Sequence, residues 1–141
     1  MHVRLKNTCC ARMKLFIDNN LSPLIAKSLY PWLEKRGGDV KHLREVLPKY
    51  VTDVEIFEYL VNDGNDWTIF SSDRFRKIAE RETLASTNLT YILAGKSFNK
   101  LDLHIQISKI FLHINEWEKL TLAGGERFEC TANGKLKPMT R

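Results

Sequence analysis

Short apolar runs alternate along this chain with capped, amphipathic segments, and that order restricts the fold more than any other feature. Leu15-Phe16-Ile17 is too short for a helix and apolar at every position, which suits a strand buried on both faces. Ser22-Pro23 then supplies an N-cap and first-turn pair, and Leu24, Ile25, Leu29, Trp32 and Leu33 lay an apolar stripe along the helix it opens. Gly37-Gly38 stops that helix, and residues 39–43 read as a second strand. Thr52-Asp53-Val54-Glu55 is a capping box ahead of Ile56, Phe57, Tyr59 and Leu60, and Asn62-Asp63-Gly64 closes the helix behind it. A third strand over 67–70, a helix over 75–84 and a fourth strand over 90–93 follow. Leu101, Ile105, Ile107, Ile110, Phe111, Ile114 and Trp117 mark a long helix that Gly124-Gly125 closes. Asn133-Gly134, between 127–131 and 135–139, is a strong hairpin signal. The fold expected is α/β: a three-layer α/β/α sandwich on a mostly parallel sheet, with a C-terminal β-hairpin.

The pattern begins only at Met13. Residues 1–12 show neither a two-residue nor a helical period, so they read as an N-terminal arm or a mis-assigned start, with 13–141 as one domain. The formal charge of +5 is unevenly spread: all 17 acids lie within 13–130, which nets −1, while the two ends carry three cations each. A broad basic face for nucleic acid is not implied, so a polyanion site has to be local. No apolar run approaches membrane-spanning length, which argues against a membrane partner. Cys9, Cys10 and Cys130 form neither a disulfide framework nor a metal-ligand spacing, so a reducing, cytoplasmic setting is expected.

In an open parallel sheet, ligands bind beyond the carboxyl ends of the strands. Asp18 directly follows the first strand, Asp73 follows the third after two serines, and Asp53 lies in the first turn of a helix whose amino end can open on that edge. Three carboxylates converging there repel one another unless a cation sits among them. Oxygen-only donors favour Mg²⁺ or Mn²⁺ over zinc, and such an ion activates water and neutralises phosphodiester charge. Each acid also has a plainer role as a turn former or helix cap, Asp53 above all, because it sits inside a capping box. Asp18 is less easily explained that way, since Ser22 already fills the cap position.

Lys14-Leu15-Phe16-Ile17-Asp18-Asn19-Asn20-Leu21-Ser22-Pro23, His42-Leu43-Arg44-Glu45, Thr52-Asp53-Val54-Glu55 and Trp67-Thr68-Ile69-Phe70-Ser71-Ser72-Asp73 resemble the PIN-like group allied to VapC toxins, more narrowly the VapC45-type PIN-like domain. The stretch from Gly125 through Leu136 resembles the end of those proteins, so the likeness covers 13–141. It implies a PIN fold, a Mg²⁺- or Mn²⁺-dependent endoribonuclease, and the toxin role in a type II toxin–antitoxin pair. The partners it implies are an RNA substrate, a cognate antitoxin and a second copy in a homodimer. The family's acids map onto Asp18, Asp53 and Asp73 as catalytic and metal-holding residues. Larger PIN nucleases carry a fourth acid, for which Glu45 and Glu55 are the candidates here. After Asp73 the chain runs Arg74-Phe75-Arg76, with no further acid until Glu80.

Asn19 and Asn20 are candidates to orient a metal water or contact a phosphate. Lys41, His42, Arg44, Arg74, Arg76 and Lys77 are candidates for a cationic rim facing RNA phosphates. His104 and His113 are nine apart on the long helix, which is not a chelating separation. No Ser–His or Cys–His arrangement offers covalent catalysis. A phosphoacceptor domain would need an acid pair after the first strand, where Asn19 and Asn20 stand. The alternative of another class is a PIN-like protein-binding module with weak or no catalysis, which the thin acid set favours.

Overall fold

The computed structural model describes residues 13–74 and 77–139. Its elements run β1 (Lys14–Ile17), α1 (Pro23–Lys35), β2 (Asp39–His42), α2 (Leu43–Val46), α3 (Asp53–Asn62), β3 (Thr68–Ser71), α4 (Ile78–Ala85), β4 (Thr90–Ala94), α5 (Lys96–Asn99), α6 (Leu103–Leu120), β5 (Arg127–Cys130) and β6 (Leu136–Pro138). The strands form one sheet in the order β2-β1-β3-β4-β5-β6. The first five are mutually parallel, and only β6 runs against its neighbour. The expected α/β/α sandwich with a terminal hairpin is therefore the fold. The arm expected at 1–12 lies outside the described residues.

Successive strand residues point to opposite faces, and each face builds its own core. Leu15, Ile17, Phe70, Ile92, Phe128 and Cys130 pack on one side with Ile25, Leu29 and Leu33 of α1 and Ile110, Ile114 and Trp117 of α6. Phe16, Ile69, Tyr91 and Leu93 pack on the other with Ile56, Phe57 and Leu60 of α3 and Leu84 of α4. All four residues of β3 and all five of β4 are buried, as parallel strands covered on both faces should be.

The caps explain the helix starts. Ser22 Oγ accepts from Leu24 N ahead of Pro23, and Thr52 exchanges hydrogen bonds with Glu55 at the head of α3. Two short helices, α2 and α5, were not expected from the sequence. The first shortens β2 by one residue, because His42 caps α2 with Glu45 answering from the third position. Histidine is outside the usual set of cap residues, so this box carries no sequence signal. The helix expected over 75–84 is described from Ile78, and Phe75 and Arg76 lie outside the described residues.

Two long-range contacts lock the α1–α6 layer. Arg36, the C-cap of α1, meets the fully buried Glu118 of α6 through Nε to Oε2 at 2.9 Å and Nη2 to Oε1 at 2.9 Å. Its guanidinium also lies over the Trp32 ring, 5.3 Å from the centroid. At the far end of the chain, Trp117 Nε1 donates to Gly134 O at 2.8 Å, and its ring meets Phe70 edge-on at 5.3 Å. Gly134 has φ +85°, and a Cβ there would lie 2.4 Å from Lys109 O, so glycine is required where the hairpin turn sits on α6.

Trp117→Phe keeps most of the ring but leaves the Gly134 carbonyl without its donor, and should lower the free energy of unfolding by about 2–4 kcal/mol. A urea titration checks this; a wild-type midpoint would show that the bond does not hold the hairpin.

Candidate active site

The parallel sheet brings the ends of β1, β3 and β4 and the starts of α3 and α4 to a single edge. Asp18, one residue past β1, is buried, and its backbone N–H still donates to Phe70 O at 2.9 Å. Its carboxylate is fixed by two donors, Asn19 N to Oδ1 at 2.7 Å and Ser71 Oγ to Oδ2 at 2.6 Å. Ser71 Oγ accepts in turn from Asp73 N at 3.0 Å and from Asn20 Nδ2 at 3.3 Å. Asn20 Oδ1 closes the ring by accepting from Ser72 N at 3.1 Å. One serine hydroxyl therefore ties the turn after β1 to the turn after β3. The buried Tyr91 of β4 also donates its hydroxyl to Asp73 O. Burial first, and the neighbouring acids after it, raise the Tyr91 pKa above its ordinary range, so the phenol stays a donor.

Asp53 is the electrostatically strained member. Its pKa is raised to about 7, chiefly by burial, then by the charges of Asp73, Glu80 and Asp18, with a side-chain hydrogen bond to Glu80. Asp53, Asp73 and Glu80 line a cleft of about 570 Å³ together with Ser72, Arg74, Lys77, Ala94, Lys96 and Asn99. Glu80 was not among the expected site residues. It stands seven residues after Asp73 in the first turn of α4, where an acid suits the helix dipole, and only the fold carries it beside Asp53.

The remaining candidates fall elsewhere. Glu45 Oε1 accepts from His42 N at 2.8 Å, and Glu55 Oε1 accepts from Thr52 N at 2.8 Å, so both serve their caps. The Glu55 pKa is lowered by those bonds to Thr52. His42 is fully buried, with Nε2 on Leu21 O at 2.9 Å and Nδ1 taking Arg44 N at 3.2 Å, which fits the Nε2–H tautomer and keeps the ring from facing a ligand. Arg44 Nε donates to Asn19 Oδ1 at 2.6 Å, beside a depression on the opposite flank shared with Leu47 and Lys49. Lys41 lies over the Trp67 ring at 5.6 Å. Among the expected cations, Arg74 and Lys77 line the acidic cleft; Arg76 is outside the described residues. Lys96 joins them without having been expected.

The donors fit a hard divalent ion: they are all oxygen, they carry like charge, and one of them resists ionisation because of its burial and of the others. They are not drawn into a finished coordination sphere, and among the described residues no three His, Cys, Asp or Glu side chains are grouped to hold a metal.

The raised Asp53 pKa has a definite sign for stability. The folded state binds a proton that the unfolded state has released, so the metal-free protein should lose stability as pH climbs from 3.8 to about 7 and then level off. Asp53→Asn should flatten that slope and be more stable than wild type above the raised value. Thermal unfolding across this pH range checks it; parallel profiles for the two proteins would contradict the assignment.

Among the described residues no helix is long and apolar enough to cross a membrane. No curated protein and no solved structure matches the chain. The family model described as "PIN like domain" matches residues 13–96, which carry Asp18, Asp53, Asp73 and Glu80. PIN-like domains are commonly nucleases. The chain belongs to the PIN-like domain family.

Proposed function

We infer that the protein is a divalent-metal-dependent endoribonuclease, the toxin of a type II toxin–antitoxin pair of the VapC45 type. The observation that carries this reading is the convergence of Asp53, Asp73 and Glu80 at a cleft rimmed by Arg74, Lys77 and Lys96, with the Asp18 charge close enough to act on Asp53. The whole of 13–141 acts as one unit in this reading, since the sheet that begins in the family-matched segment continues to β6.

Asp18, Asp53 and Asp73, with Glu80 in place of the fourth acid, would hold Mg²⁺ or Mn²⁺, which when bound supplies water activation and charge neutralisation at a phosphodiester. Asp18 is held in one orientation by Ser71 and Asn19, so it would join such a site without reorganising. Asp53 and Glu80 share a hydrogen bond that must give up its proton before both can act as ligands, so metal loading and proton release are coupled. Arg74, Lys77 and Lys96 sit where phosphate oxygens would approach the acids. The biological partners in this reading are cytoplasmic RNA, an antitoxin whose tail covers the acidic cleft, and a second copy of the chain.

A second reading, a PIN-like binding module with little or no catalysis, is favoured by the absence of three grouped metal-ligand side chains among the described residues. Cleavage separates the two. Purified protein should cut a mixed RNA pool with Mn²⁺ and not with chelator, and Asp73→Asn should cut at least about 100-fold more slowly while keeping its circular dichroism spectrum. Folded wild-type protein that neither binds Mn²⁺ nor cuts RNA would establish the binding module instead.

A further inference from the structure

The cationic side chains of the cleft continue into a second depression. It is lined by Gly95, Lys96, Ser97 and Glu129, by the hairpin turn from Cys130 to Asn133, by Lys137 of β6, and again by Arg74. Arg74 and Lys96 belong to both depressions, so the two join over the end of β4. Arg74, Lys96 and Lys137 are exposed, and none of them makes an ion pair with a described residue. The acid in this second depression, Glu129, is the cross-strand neighbour of Lys137, which leaves an excess of positive charge. On the opposite flank the cations are engaged: His42 is buried, Arg44 is bonded to Asn19, and Lys41 lies over Trp67.

We propose that this second depression is a binding track for a single RNA strand, running from the acidic cleft across the end of β4 to the C-terminal hairpin. Lys96 and Lys137 take successive phosphates along it. The proposal rests on the nuclease reading and adds to it the direction in which the substrate leaves the acids. From β3 to β6 is three inter-strand steps, about 14 Å, enough for roughly four phosphates at the rise of a stacked strand. Ser97, Asn99, Thr131 and Asn133 offer hydrogen-bonding groups along the path. The wall is braced from behind, where Trp117 of α6 donates to Gly134 O and the turn lies close against the Lys109 backbone. Arg74 and Lys96 lie within the segment that the family model matches, and the hairpin that carries Lys137 lies beyond it.

The test uses the full chain, a labelled single-stranded RNA long enough to reach from β3 to β6, and chelator to prevent cutting. The double variant Lys96→Gln/Lys137→Gln should bind that RNA about 10-fold more weakly, and its log affinity against log salt should be shallower by about 1.4, as expected for two lost phosphate contacts. A matched variant, Lys27→Gln/Lys119→Gln on α1 and α6, removes the same charge away from the track and should change the slope far less. Equal affinity and slope for wild type and Lys96→Gln/Lys137→Gln, while the wild type cuts RNA with Mn²⁺, would overturn the track and leave the nuclease reading standing. A wild type that neither binds nor cuts RNA would overturn both. Binding of polyglutamate in place of RNA, lost in the same double variant, would assign the depression to an acidic protein partner and overturn the RNA track.

Discussion

Like charge gathered at one edge of a parallel sheet is the constraint around which this molecule is built. The parallel run of β1 to β5 sends every strand end to the same side, and two of those ends are followed by aspartates. Helices α3 and α4 then return from that edge with Asp53 and Glu80 in their first turns. Helix N-termini tolerate negative charge, which offsets part of the repulsion, but Asp53 still sits with its carboxyl pushed to about 7. The fold thus holds an arrangement that a divalent ion would relax, and within it two neutral donors, Asn19 N and Ser71 Oγ, fix the Asp18 carboxylate.

Those donors matter because they are shared. Ser71 serves Asp18, Asp73 N and Asn20 at once, so the turns after β1 and β3 cannot move independently. Tyr91 adds a third strand to the same support by reaching Asp73 O from β4. Partly satisfied polar networks are costly when buried, and this one is kept at the rim, where Asp18 is buried but Asn19 and Asn20 reach solvent.

Much of this was legible in the sequence, and the limits were specific. The alternation of apolar runs with capped helices gave the layer order, because Ser22-Pro23, Thr52–Glu55 and Asn133-Gly134 act locally. Asp18 and Asp73 were readable as acids after strands, and Asp53 as an acid in the first turn of a capped helix, for the same reason. Glu80 was not, since its proximity to Asp53 is created by two helices meeting at their amino ends. Nor was the cap made by His42, which removes that residue and Glu45 from the surface chemistry their sequence position suggested. The cations divided similarly: Arg74 and Lys77 reached the cleft, whereas Arg44 and Lys41 found nearer partners in Asn19 and Trp67.

The strand β6 has a consequence for association. It is the outermost strand on its side of the sheet, only three residues long, and it ends in Pro138 with Lys137 within it and Lys135 just before it. A short rim strand that carries a lysine and a residue lacking an N–H offers a poor template for another chain's backbone. The sheet is therefore protected at this edge from growing into a continuous intermolecular ladder, which leaves β2 as the edge where such growth could begin.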